Sequence, residues 1–99
     1  MKKEEFYKEI RNTLKEIELT ENQIEQFYNY MNGILKWNKS INVTSITDEK
    51  MFIVKHFADS LTINRFVEDK KNLIDIGTGA GFPGIPLKIV NKDLKVTLI

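Results

Sequence analysis

The sequence contains no cysteine and a single histidine, His56. Without thiolates it can form neither a disulfide framework nor a cysteine-based metal site, and one histidine leaves too few ligands for a typical zinc site. No stretch approaches the roughly 18 apolar residues of a membrane-spanning helix, and the opening MKKEEFYKEI lacks the apolar segment of a signal peptide. These absences predict a cytosolic protein with no metal and no membrane partner.

The sequence also has no large excess of positive or negative charge, because fifteen basic and fourteen acidic side chains leave a net charge of +1. Such a balance gives only weak support for a polyanionic partner. At 99 residues, of which 41% are hydrophobic, the chain is large enough for one modest core.

Helical periodicity dominates the first part of the chain. Phe6, Ile10, Leu14 and Ile17 recur at steps of three and four, which predicts a helix over residues 3–17. Thr20 with Gln23 three residues later is a capping-box pattern, and apolar residues then keep helical spacing to about Trp37. Residues 38–47 are mostly polar and predict a connector.

A third helix is predicted over residues 48–66. On a wheel of about 100° per residue, one arc holds Met51, Val54, Ala58 and Leu61, and nearly the opposite side holds Phe52, His56 and Ile63. A helix with two apolar faces is usually packed between layers. We therefore expect it to lie between the helical region and a sheet.

The last third of the chain predicts one β-α-β unit. Residues 73–76 form the first strand, a short helix runs to about Val90, and residues 94–99 form a buried parallel strand with a right-handed crossover. The predicted organisation is a helical region over residues 1–68 and the start of an α/β domain over 69–99. Because the second strand is followed by no turn or polar tail, we expect an N-terminal piece of a longer protein.

Four of the five glycines lie in the segment NLIDIGTGAGFPG, at Gly77, Gly79, Gly81 and Gly84. Glycine accepts positive φ angles and lets a ligand approach the main chain. The dinucleotide fingerprint fails, because Phe82 stands where its third glycine belongs, and no Gly-Lys-Ser/Thr follows to make a P-loop. The pattern D-x-G-x-G-x-G instead resembles the first motif of S-adenosylmethionine-dependent methyltransferases with a Rossmann-like fold.

Three stretches in order make the resemblance more specific: KWNKSINVTS at residues 36–45, HFADSL at 56–61 and IDIGTGAGFPGIPLKIV at 74–90. Together they closely resemble the N-terminal half of the glucose-inhibited division protein B family. The resemblance implies a cytoplasmic enzyme that uses S-adenosylmethionine to methylate N7 of a guanine in bacterial small-subunit ribosomal RNA. It also implies a truncated Rossmann-like sheet here, since family members are more than twice as long.

The glycine segment supplies the expected cofactor-binding residues. These are Asp75, Gly77, Thr78, Gly79, Ala80, Gly81 and Phe82. The alternative for the glycines is a plain turn between strand and helix. Asp75 can accept N–H bonds that orient the loop, accept a bond from the cofactor's ammonium group through water, or cap the strand. Phe82 can contact the cofactor or pack the helix against the sheet.

No catalytic side chain is expected, because guanine N7 carries a lone pair and no proton to remove. For His56, a structural role in a helix interface is therefore favoured over a role in lining the RNA or cofactor pocket. Trp37, Asn38 and Asn42 can stack on or hydrogen-bond an unpaired base, as RNA recognition often requires, although a helix end and capped turns are the simpler interpretation.

Two other functions remain open at this stage. A related methyltransferase could act on a small molecule or protein, and a non-catalytic nucleotide-binding or interaction module could use the helices as its partner surface. A two-stranded parallel sheet cannot cover its own faces and edges. We therefore expect the chain to self-associate and to have weak or no methyl transfer activity by itself.

Overall fold

The computed structural model describes residues 1–41, 48–77 and 79–99, with side chains of the second helix described as far as Trp37. Six α-helices, a π-helical segment and two strands follow one another in the described ranges. In chain order they are α1 Lys3–Thr13, α2 Glu21–Ile41, α3 Glu49–Phe52, the π-helical segment Ile53–Ala58, α4 Asp59–Leu61, α5 Asn64–Val67, β1 Asn72–Asp75, α6 Gly84–Val90 and β2 Lys95–Leu98.

Helix α1 is shorter than predicted, and the continuation to Ile17 is wrong. Leu14 leaves the helical conformation with φ −104° and ψ 51°, and the Ile17 N–H donates to the Leu14 carbonyl in a turn, at 3.1 Å. Leu14 still reaches the core, being 6% exposed. The apolar spacing therefore continues past the end of the helix because the turn also faces inward.

Helix α2 begins as its capping box predicts. The Thr20 N–H donates to Gln23 Oε1 at 2.8 Å, and the Gln23 N–H donates to Thr20 Oγ1 at 3.1 Å. The helix runs to Ile41, so the prediction that a connector starts at residue 38 is wrong. No glycine or proline follows Trp37 in this stretch to stop it. The rest of the predicted connector, residues 42–47, lies outside the described residues.

The predicted third helix is present over most of its length, but it contains a π-helical segment and is interrupted by one turn. Asp48 caps α3 by accepting the Met51 N–H at 3.0 Å. The π-helical segment and α4 follow without a break, and α5 begins after a turn at Thr62 and Ile63.

The predicted arcs of this region are wrong. Its core side chains are Phe52, Ile53, Phe57, Ser60 and Leu61, whereas Met51, Val54 and Ile63 are exposed. A π-helix bonds i to i+5 and so places residues five apart on one face. Phe52 and Phe57 accordingly meet with ring centroids 5.3 Å apart. The region lies between α1 and α6.

The predicted parallel pair of strands is confirmed. Strand β1 pairs with β2 in the register Asn72 with Lys95 to Asp75 with Leu98, and α6 packs on both strands. The prediction of a buried second strand is wrong beyond Leu94, because three of the four residues of β2 are exposed. Ile99 is 71% exposed beside Ile74 at 61% and Ile76 at 79%. Helix α6 covers only one face of the sheet, so the other face presents these side chains to solvent.

One hydrophobic core joins all of these elements. Leu87 of α6 and Leu94 before β2 are buried together with Phe6 of α1 and Phe27 of α2. The Asn91 amide of the β-α-β unit also donates to Asn64 Oδ1 at 2.7 Å. A boundary after residue 68 stays a prediction. Within the described ranges, no helix is long and apolar enough to cross a bilayer.

Candidate functional site

The glycine loop, residues 76–83, leaves the carboxyl end of β1. Gly77, Gly79 and Gly81 have φ angles of 71°, 57° and 100°, in the left-handed region that disfavours side chains. The Gly77 N–H donates to the Ile99 carbonyl at 2.8 Å and the Ile99 N–H to the Asp75 carbonyl at 2.9 Å, which extends the ladder to the start of the loop. The loop therefore turns sharply at the edge where parallel sheets bind nucleotide-like ligands.

Asp75 joins the two ends of the glycine loop. Its Oδ2 accepts the N–H of Gly84, the first residue of α6, at 2.9 Å. A Cβ on Gly84 would lie 2.6 Å from Leu98 Cδ2 and 3.0 Å from that same oxygen. Gly84 therefore lets α6 pack closely on β2.

Tyr30 of α2 holds the loop from the helical side. Its hydroxyl donates to the Ala80 carbonyl at 2.6 Å, and a Cβ on Gly81 would lie 3.0 Å from the hydroxyl oxygen. Burial raises the pKa of the Tyr30 phenol, and the Asp75 carboxylate raises it further, so the donor proton is retained. Tyr30 could not be predicted from the sequence, because only the fold brings it to a loop 50 residues away.

An aromatic cluster lies beneath the same loop. The Phe82 ring is stacked on His56, with centroids 4.2 Å apart and planes 8° apart. Phe52, Phe57 and Tyr30 contact the Phe82 ring at centroid distances of 5.9, 6.4 and 5.5 Å. The Phe82 ring therefore packs against the aromatic side chains beneath the loop, and the residue is only partly buried. His56 reaches the loop through this stacking.

A groove runs along the other side of the glycine loop. One face of α2 supplies Tyr30, Gly33, Ile34 and Trp37, the loop supplies Ala80, and the volume between them is about 270 Å³. Trp37 is 64% exposed. Of the expected substrate-side residues, Trp37 and His56 are thus both brought to the loop, and Asn38 lies in the following turn of α2.

Asn42 and Thr78 lie outside the described residues. Among residues 1–41, 48–77 and 79–99, no group of three histidine, aspartate or glutamate side chains is placed to hold a metal ion.

Replacing Tyr30 by Phe should loosen the glycine loop. Its matched control is Tyr28→Phe, because the Tyr28 hydroxyl donates to the Met1 carbonyl at 2.8 Å and not to the loop. Each variant should lose about 0.5–1.5 kcal/mol of stability in urea unfolding. Only Tyr30→Phe should speed hydrogen exchange at the Ile85 and Gly84 amides, which bond to Gly81 and Asp75. Equal exchange in both variants would contradict the role of Tyr30.

His56 should make the chain less stable in mild acid. Desolvation lowers its pKa below the ordinary 6.5, although the nearby Asp59 carboxylate opposes this. A lowered folded-state pKa means that the unfolded chain binds the proton more readily. The contribution of neutral His56 is therefore complete above pH 6.5 and is lost as the pH falls toward the folded-state pKa. Urea unfolding at about pH 7.5 and about pH 5.5 should show a smaller stability difference for His56→Phe than for the unaltered chain.

Comparison with known proteins relates the chain to a family. A family model described as rRNA small subunit methyltransferase G matches residues 23–99. Proteins named ribosomal RNA small subunit methyltransferase G are similar to 85% of this chain at 51% identity in Desulforamulus reducens, and to 96% at 42% identity in Clostridium botulinum. The matches cover 36% and 41% of those proteins, so the chain spans well under half the length of its curated relatives.

Proposed function

The chain belongs to the rRNA small subunit methyltransferase G family, and from this we propose that the whole protein methylates N7 of a guanine in small-subunit ribosomal RNA in the cytoplasm. The donor is S-adenosylmethionine. The observation that carries the proposal is the glycine loop at the carboxyl end of β1, with three left-handed glycines and Asp75 before them. The sheet then belongs to a Rossmann-like domain, of which β1, α6 and β2 are the first unit.

The residues present fit such a donor. Gly77 and Gly79 have positive φ angles, and no described atom outside their immediate neighbours lies within 4 Å of a Cβ built on either. The main chain at these two positions is therefore open to a ligand. Asp75, Gly77, Gly79, Ala80, Gly81 and Phe82 would hold it, together with Thr78.

Methyl transfer to guanine N7 requires no proton transfer by a side chain of the protein. S-adenosylmethionine supplies an electrophilic methyl group on a sulfonium sulfur when bound. Because N7 has an available lone pair, no general base is required, and the rate depends on orientation and on exclusion of water. The chain contributes a fixed loop, since Tyr30 and Asp75 each bond to its backbone. His56 contributes packing against Phe82 rather than proton transfer.

Two measurements test the proposal. Isothermal titration with S-adenosylmethionine should show binding by the whole protein, with weaker binding by the 99-residue chain. Radiolabelled methyl groups should pass to small-subunit ribosomal RNA in the presence of the whole protein, and mass spectrometry of the digested RNA should find N7-methylguanosine. The chain described here, which spans 36% of a relative's length, should transfer weakly or not at all.

The outcomes separate the remaining alternatives. If the whole protein binds the donor but transfers methyl groups only to a protein or small molecule, its substrate is not RNA. Absence of donor binding by the whole protein would favour a non-catalytic nucleotide-binding or interaction module. Ribosomal RNA of the large subunit is the control acceptor, and equal labelling of both RNAs would contradict specificity for the small subunit.

Self-association of the isolated chain is expected from the exposed sheet face. Ile74, Ile76 and Ile99 form an apolar patch, and the outer edges of β1 and β2 pair with no other strand among the described residues. Such surfaces favour pairing with another copy. Light scattering after size exclusion should give a mass above the monomer's 11.6 kDa. The variant Ile74→Lys, which puts a charge on the patch, should shift the population toward monomer. A concentration-independent monomer of the unaltered chain would contradict this.

A further inference from the structure

The groove between α2 and the glycine loop has the chemistry of a site for a flat ring. Its walls are the rings of Tyr30 and Trp37 with the side chain of Ile34, and its lining among the described residues includes no charged group. Recognition there would rest on stacking and apolar contact, not on charge. Phosphate groups and small ions are therefore poor candidates for its occupant.

Gly33 is an unusual residue in this groove, because glycine disfavours the helix to which it belongs. It lies inside a 21-residue helix, where glycine is markedly less favourable than alanine. Helical backbone does not require glycine. Among the residues that the structure describes, nothing outside the local backbone lies within 4 Å of a Cβ built on it. Packing therefore does not explain Gly33, whereas a side chain at this position would fill the floor of the groove.

The size and position of the groove limit which kind of ligand can bind in it. Its volume of about 270 Å³ is just under the roughly 300–1,000 Å³ of sites that enclose drug-sized ligands, so it suits one ring system. Ala80 belongs both to its lining and to the loop proposed to hold the methyl donor. A ring bound in the groove would therefore lie beside the loop that is proposed to hold the methyl donor.

We propose that this groove, formed by Tyr30, Gly33, Ile34, Trp37 and Ala80, binds a purine ring through stacking on Trp37. The choice of a purine rests on the proposed function, in which both the RNA guanine and the donor's adenine are purines. Aromatic stacking on an exposed tryptophan is a common way to hold an unpaired base. Trp37 is 64% exposed, so its ring is accessible to such a base.

Fluorescence of the 99-residue chain tests the proposal directly, because Trp37 is its only tryptophan. Guanosine 5′-monophosphate should quench the emission saturably, and ribose 5-phosphate, which has no base, should not. S-adenosylhomocysteine is the third ligand. Stronger quenching by the guanosine nucleotide would assign the groove to the RNA base, and stronger quenching by S-adenosylhomocysteine would assign it to the donor. Quenching by neither purine would overturn the proposal.

The variant Gly33→Leu separates binding in the groove from random collisions with an exposed ring. Leucine favours the helix more than glycine does, and a Cβ built at this position meets no described atom outside the local backbone within 4 Å. Circular dichroism checks that the chain folds. Purine affinity should fall about tenfold or more in the variant. Gly33→Ala, with a smaller side chain, should show a smaller loss. Unchanged quenching in a folded Gly33→Leu chain would overturn the proposal. Methyl transfer by the whole protein is measured separately, so this failure is distinguishable from failure of the enzyme activity.

Discussion

Replacing Gly81 by alanine should lower the free energy of unfolding by about 2–4 kcal/mol. Two effects act together. At φ 100° a side chain strains the backbone, and the added Cβ would run into the Ile85 side chain and lie 3.0 Å from the Tyr30 hydroxyl oxygen. Since small domains have only about 5–15 kcal/mol of stability, the change should be evident in a urea unfolding curve.

The same substitution at Gly33 is a matched control for stability. Gly33 has helical backbone and room for a Cβ among the described residues, so Gly33→Ala should be neutral or stabilise the chain by up to about 1 kcal/mol. The urea midpoint should therefore fall for Gly81→Ala and should hold or rise for Gly33→Ala. In the whole protein, Gly81→Ala should also weaken donor binding by at least about tenfold. Equal midpoints for the two variants would contradict the strained, close-packed geometry of the loop.

Removing the Asp75 carboxylate should have the second large effect. Asp75→Ala leaves the Gly84 N–H at the start of α6 without its acceptor, and hydrogen bonds to charged groups contribute about 1.5–3 kcal/mol. Asp75→Asn keeps an oxygen that can accept this bond, so it should recover most of the lost stability. Urea unfolding of both variants is the measurement. An alanine variant as stable as the unaltered chain would show that the bond does not hold the loop.

Donor binding by these two variants distinguishes the roles considered for Asp75. If the carboxylate only orients the loop, Asp75→Asn should restore donor binding along with stability. If the negative charge itself meets the donor's ammonium group, binding by Asp75→Asn should stay weak although stability returns. Titration of the whole protein with S-adenosylmethionine gives the answer, with the Tyr28→Phe variant as a control outside the loop.

Local signals in the sequence were sufficient where the structure depends on neighbours along the chain. The capping box at Thr20 and Gln23 predicted the start of α2, and both of its bonds are present. The alternation of apolar residues and glycines predicted β1, α6 and β2 close to their observed bounds. For each of these elements, the composition of a short segment and the residues that bound it were enough for the prediction, although β1 and β2 pair across 23 residues of sequence (95 minus 72).

Prediction failed where distant parts of the chain decide the outcome. The π-helical segment forms around Phe52 and Phe57, whose rings pack together and against Phe82, and a wheel drawn for an ideal α-helix cannot include that. Helical spacing already places Tyr30 and Trp37 on one face of α2. Nothing local reveals that Ala80 lies opposite them, so the groove became visible only in three dimensions.

The shared core has a consequence for synthesis of the protein. Phe6 and Phe27 emerge from the ribosome first, yet they are buried in one cluster with Leu87 and Leu94. Leu94 follows Phe6 by 88 positions (94 minus 6), which at roughly 5–20 residues per second is a delay of roughly 4–18 s. Phe6 can meet Tyr28 and Phe27 can meet Phe57 earlier. Until Leu87 and Leu94 follow, however, the cluster lacks part of its cover and presents apolar surface that chaperones bind.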